Sequence, residues 1–159
     1  MIVLGLPRSG TTHLVNLIAA DRRLRSMPLW EGQASVAEEN PTRGEDDPRY
    51  LRAAENWQRM HTASQVVVAM HPMEPDHLHE ELELMLPDFS SYSIEWVARV
   101  PKRLDYYQAH DQRPRYQYLK TALKILQWYR SQDRWVLNVL GTSNRSYPSS
   151  RPFRMRPSS

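Results

Sequence analysis

Gly5-Leu6-Pro7-Arg8-Ser9-Gly10-Thr11-Thr12-His13 is the stretch whose reading decides the fold. It follows Ile2–Leu6, an aliphatic run short enough to be a buried strand. Behind it Leu14, Leu17 and Ile18, with Ala20, recur at helical spacing to about Arg23. Strand, glycine loop and helix in that order open a βα unit. Two glycines five apart with a closing Thr12 have the spacing of a phosphate-binding loop. Gly10 lets the backbone wrap so that several N–H groups meet one anion. The start of the helix adds its positive end, and the threonine hydroxyls add donors. Arg8 can add a bidentate charge.

The loop departs from the nucleoside-triphosphatase pattern at one informative place. A lysine before the final Ser/Thr normally reaches the β- and γ-phosphates, and here that position is Thr11. No later apolar strand ends in an aspartate that would hold Mg²⁺. The loop therefore suits a single 5′-phosphate or phosphosulfate better than ATP. An ordinary Gly- and Ser/Thr-rich βα turn is the bland alternative.

Working outward, residues 27–47 read as irregular. Asp47 reads as an N-cap and Pro48 as the first position of a helix running to about Met70, with Leu51, Ala54, Trp57, Met60 or His61, and Ser64 along one face. Asp76–Leu86 reads as a short acidic helix between prolines. Residues 88–100 fit helix or strand, and Pro101–His110 fits a short helix. Pro114–Ser131 carries the clearest amphipathic pattern, with Tyr116, Leu119, Leu123 and Leu126 on one stripe. Arg134–Leu137 reads as a second buried strand. The fold class is α/β of the phosphate-loop type, a parallel sheet with flanking helices, incomplete and mostly helical in this chain. Two strands alone cannot be buried on both faces, so the chain looks like part of a larger fold.

Composition narrows the function classes. With no cysteine, a disulfide framework and thiolate metal sites are excluded, and a reducing, cytoplasmic setting is the expectation. No apolar run is long enough to span a bilayer. The pI near 9.3 invites a nucleic-acid partner, but its source is local. Residues 141–159 hold Arg145, Arg151, Arg154 and Arg156 and no acid, while residues 1–140 sum to −1 against a total of +3. The body has no basic excess for a phosphate backbone, and no nucleic-acid partner is expected. The tail, rich in Ser, Pro and Arg, reads as disordered.

The densest ionisable cluster is His71, His77, His79, Glu80 and Glu81. On a helix, His77 would share a face with Glu80 or Glu81, making these three the catalytic candidates as a base pair beside an acceptor. A solvated acidic helix and a metal site at His77-x-His79 remain alternatives. Trp57 and Trp128 fall on periodic helices and read as core rather than ligand-stacking residues.

Pro7-Arg8-Ser9-Gly10-Thr11-Thr12 resembles the 5′-phosphosulfate loop of sulfotransferases that use 3′-phosphoadenosine 5′-phosphosulfate (PAPS). Met70–His77, Leu86–Phe89, Ile125–Trp128 and Arg134–Leu137 resemble the bacterial branch, so the likeness runs from residue 1 to about 137. It implies residues 1–140 as a partial sulfotransferase domain, and Pro7, Arg8, Ser9, Gly10, Thr11 and Thr12 as the donor loop. It further implies a small-molecule hydroxyl or amine acceptor, and no metal. Arg8 would neutralise charge on the bridging oxygen during in-line transfer. Members of that branch continue Trp-Val-Leu with Lys-Ser-Pro-x-His, where this chain has Asn138-Val139-Leu140-Gly141-Thr142. Impaired or absent turnover is therefore the expectation, as is a truncated member whose tail comes from a shifted reading frame or misplaced gene end. The missing second cofactor motif, for the 3′-phosphate, points the same way. The rivals are a nucleoside or small-molecule kinase, and a non-catalytic helical interaction module with a basic tail.

Overall fold

In the computed structural model, which describes residues 1–5, 9–38, 44–70, 73–130 and 134–140, Ile2–Gly5 forms β1. It pairs in parallel with β4, Leu137–Leu140, in a register running from Ile2 opposite Leu137 to Gly5 opposite Leu140. A second parallel pair joins β2, Leu24–Arg25, to β3, Arg134–Trp135. The strand read over Arg134–Leu137 is thus shared between two pairings, turning from β2 to β1 at Val136.

Alternation along these strands separates two cores. Val3 and Val136 meet Val15 of α1, Thr11–Ala19, with Ile18, Ala19, Leu24 and Leu78 around them. On the opposite face Trp135, Leu137 and Val139 meet α7, Arg113–Tyr129, through Leu119, Ala122, Leu123 and Leu126. Met27, Leu84 and Met85 fill the same core. Helices on both faces of parallel strands make this the α/β layering expected from the loop. Ile2 and Leu4 stand in register with Leu137 and Val139 yet remain 53 % and 55 % exposed, so the α7-side core stops short of β1.

Between these elements lie α2 (Leu29–Gln33), a 3₁₀ turn at Gly44–Asp46, α3 (Pro48–Ala63), α4 (Gln65–Met70), α5 (Ile94–Val97) and α6 (Pro101–Ala109). Asp47 caps α3 as expected, its carboxylate accepting from the Arg49 N–H at 2.9 Å with Pro48 following.

Several expectations are corrected. The stretch read as irregular contains α2, nearly all of it buried. The helix expected to reach Met70 breaks at Ser64, which is extended and restarts the chain into α4; serine competes readily with helical backbone bonding. The buried face of α3 is Arg49 and Ala53, not the apolar stripe, and Leu51 is 56 % exposed. Leu14 and Leu17 of α1 are likewise exposed. Trp128, read as core, is 83 % exposed, while the α7 stripe from Leu119 to Leu126 is buried as expected.

Asp76–Leu86 is not a helix. Leu78 bridges Pro28 and Glu80 bridges Asn138, and the N–H groups of His79 and Glu81 bond to Met27 and Asn138 carbonyls at 3.0 and 3.2 Å. Backbone groups committed to neighbouring strands cannot close helical rings. Beyond Glu80 the chain continues in tight turns, with Glu83, Met85 and Leu86 each bonding three residues back.

Candidate functional site

Gly10 ends the loop and opens α1. Its φ of 86° and ψ of 11° are left-handed, a conformation that favours glycine. Its carbonyl accepts the first helical bond from Leu14 at 3.2 Å. The N-cap position is Gly10, which has no side chain to cap with, and the first turn of α1 holds no acid. The first N–H groups of a helix have no acceptor within it, and the positive end of the helix dipole lies with them.

Gly5 is required for a separate reason. A Cβ there would sit 2.4 Å from Thr11 Cγ2 and 2.7 Å from Ser9 Oγ. The end of β1 therefore runs directly against side chains on the far side of the loop, and the turn can be this tight only over a glycine. Ser9 and Gly10 are exposed, and Thr11 and Thr12 half-buried. Pro7 and Arg8 lie outside the described residues, as do His71 and the tail after Leu140.

The acidic segment lies across β4 from this loop. Glu80 bridges Asn138 in parallel, and Asn138 pairs with Val3, so Glu80, β4 and β1 stand side by side. Two strand spacings place Glu80 about 10 Å from β1. Its chain then heads for the carboxyl edge, where ligands bind in open α/β sheets. Asn138 shares a face with Val3 and Val136, the face that α1 covers. Its Nδ2 donates to Glu80 Oε1 at 3.3 Å. His79 Nδ1 lies 3.2 Å from Glu80 Oε2 and 3.9 Å from Glu83 Oε1. The ring of His77 meets that of His79 edge-on at 5.6 Å. Glu80 and Glu81 are both buried, Glu81 to within 1 %.

Of the three sequence-chosen candidates, Glu80 meets Asn138 and His79, His77 meets the His79 ring, and Glu81 joins through its backbone N–H, along an extended segment rather than a helix face. The reading of shared helical faces is overturned. Asn138 and Glu83 carried no signal in the sequence as members of this group. Only the pairing of residues 58 positions apart brings Asn138 to Glu80. Among the described residues no group of histidines and carboxylates is arranged to hold a metal ion.

Buried ion pairs fix the frame behind this segment. Arg25 is fully buried, 2.6 Å from Glu31, and its guanidinium donates to Ser26 C=O and lies over Trp135 at 4.7 Å. Burial pushes the Glu31 carboxyl up and the Arg25 guanidinium down, each opposed by the other's charge. Arg49 joins Asp47 at 2.7 Å and stacks over Trp30 at 4.7 Å. Its hydrogen bonds hold the Asp47 carboxyl below the usual range. Both pairs anchor the α2 region, whose neighbour Met27 bonds His79.

A parallel strand leading through a glycine loop into a helix defines a phosphate-loop protein. The family model described as "Sulfotransferase family" matches residues 1–138, and the chain belongs to that family. Among solved structures it is similar to sulfotransferase STF1 from Mycobacterium tuberculosis H37Rv, at 25 % identity and a TM-score of 0.68, over 86 % of this chain and 38 % of that one. It is similar also to sulfotransferase STF9 from Mycobacterium avium, at 25 % identity and 0.69, over 88 % and 36 %. The chain therefore spans less than two-fifths of the length of these two proteins. No curated protein matches its sequence. No helix among the described residues is long and apolar enough to cross a membrane.

Proposed function

We propose that this chain binds PAPS through the Gly5–Thr12 loop, in the service of sulfuryl transfer to a small hydroxyl or amine acceptor. The observation that carries this reading is the N-terminus of α1, reached through left-handed Gly10 at the carboxyl end of β1. The backbone amides of a helix start and its positive dipole end suit a singly anchored 5′-phosphosulfate. Thr11 in place of the lysine argues against a triphosphate and hence against kinase chemistry.

The donor supplies the sulfuryl group, which passes in line from the bridging oxygen to the acceptor's oxygen or nitrogen. Pro7, Ser9, Gly10, Thr11 and Thr12 are the residues for the 5′ end by the family's motif, with Arg8 offsetting charge on the leaving oxygen. Glu80 and Glu81, with His77 nearby, are the groups able to take the acceptor's proton. Turnover is weak or absent, because Asn138-Val139-Leu140 replaces the Lys-Ser-Pro-x-His continuation of the branch it resembles.

Isothermal titration with the product nucleotide, 3′-phosphoadenosine 5′-phosphate, tests this directly. Arg8→Ala is expected to weaken binding at least about tenfold, the loss of one charge-assisted contact. Equal affinity in the two proteins would remove the loop assignment. Hydrolysis of ATP with Mg²⁺, and no response to PAPS, would favour the kinase reading.

A further inference from the structure

We infer that Asn138 is a positioning residue for Glu80, and that His79 completes a three-residue set fixing this carboxylate as the proton-accepting group of the transfer. The inference rests on the sulfuryl-transfer reading and deepens it, by choosing among the carboxylates and assigning a role to a residue outside the acidic segment.

The choice of Glu80 over its neighbours comes from the bridging geometry. Glu80 is held twice to β4, through the backbone bridge to Asn138 and through the Asn138 amide on Oε1 at 3.3 Å. The Glu81 N–H bonds to the Asn138 carbonyl at 3.2 Å, locking the next peptide to the same residue. Asn138 is 1 % exposed and Glu80 7 %, so the contact lies in a low-dielectric setting where one amide donor has a large effect on a carboxylate. Oε2 of Glu80 faces His79 Nδ1 at 3.2 Å, a nitrogen that also lies 3.9 Å from Glu83 Oε1, and the His77 ring meets the His79 ring edge-on at 5.6 Å. The carboxylate thus has an amide on one oxygen and an imidazole on the other.

Position matters as much as contact. Leu78, next but one to Glu80 along the extended segment, packs with Val3, Val15 and Val136 under α1. Asn138 lies on that same face. Glu80 is therefore aimed toward the helix whose N-terminus forms the anion cradle. In the transfer, the acceptor's oxygen forms its bond to sulfur as the bond from sulfur to the bridging oxygen breaks. The acceptor's proton then passes to Glu80, which it neutralises, while His79 Nδ1 beside Oε2 keeps the carboxyl group in place.

Side-chain NMR of the full chain tests the set without a turnover assay. The Asn138 amide resonance is expected to move with pH along the same curve as the Glu80 carboxyl carbon. The isosteric Glu80→Gln change is expected to abolish that movement. In Asn138→Leu, which removes the donor, the Glu80 carboxyl midpoint is expected to rise and the acid limb of any sulfuryl transfer to a phenol to rise with it. An Asn138 amide that ignores pH, or one that still titrates in Glu80→Gln, overturns the inference. If Asn138→Leu does not fold, the wild-type and Glu80→Gln spectra decide alone. Failure of the nucleotide to bind wild-type protein, with Asn138 still following Glu80, would instead remove the sulfuryl-transfer reading while leaving the pairing intact.

Discussion

Substituting Gly5 by alanine puts the loop geometry to its sharpest test. The added Cβ would lie 2.4 Å from Thr11 Cγ2 and 2.7 Å from Ser9 Oγ, while Thr11 Cβ is at an ordinary 3.9 Å. The serine hydroxyl can rotate away at little cost. Thr11 cannot, because a β-branched side chain at the start of a helix has few χ1 choices. Either Thr11 or the end of β1 must move. Overpacking of this kind costs about 1–3 kcal/mol, which for a chain of this size lowers Tm by roughly 3–9 °C. A loop displaced by that much loses at least one amide contact to the anion, worth about 1.5–3 kcal/mol, or roughly 10- to 100-fold in affinity. Thermal unfolding and calorimetry with 3′-phosphoadenosine 5′-phosphate would read both. The double variant Gly5→Ala/Thr11→Ser removes the obstructing methyl and is expected to recover most of each loss. The reasoning fails if Gly5→Ala binds as wild type does. It fails equally if Thr11→Ser alone binds normally but does not rescue Gly5→Ala.

Asp47→Ala is expected to cost about 3–5 kcal/mol in urea denaturation, since it strands the buried Arg49 guanidinium. Asp47→Ser, which keeps a cap acceptor for α3, should recover only about 1 kcal/mol of that. The same pair sets the acid limb of stability. The folded-state value of Asp47 lies below its ordinary 3.8, so its contribution is full above 3.8 and is lost as pH falls through the lower folded value. Asp47→Asn should flatten that limb in a Tm-against-pH series. Glu31 has the opposite sign: its value is raised above 4.5, mainly by burial, so its contribution is present below 4.5 and lost as pH rises through the folded value. Glu31→Gln should flatten that part of the series. Phe89 has a left-handed φ of 53° while 79 % exposed. Phe89→Gly is therefore expected to raise stability by about 1 kcal/mol or less, because it relieves backbone strain without losing packing.

What the residues alone determined is local. The β1–loop–α1 unit, the Asp47-Pro48 start of α3 and the buried stripe of α7 all depend on neighbours within a turn or two. Glycine freedom, proline geometry and helical periodicity act over that distance. The same local rules misplaced Leu51 and Trp128, because a stripe identifies an apolar face but not which face finds a partner. They made a helix of Asp76–Leu86, because proline and aspartate signals there were not weighed against β-bridges to Pro28 and Asn138. Only the tertiary structure decided that segment. Its backbone donors are taken by strands far away in the chain, and that capture lays Glu80 beside Asn138, His79 and the sheet. The glycine turn from β1 into α1 was therefore legible from nine consecutive residues. The meeting of Glu80 with Asn138 was not, because the two come together through hydrogen bonds between segments that no spacing in the sequence relates.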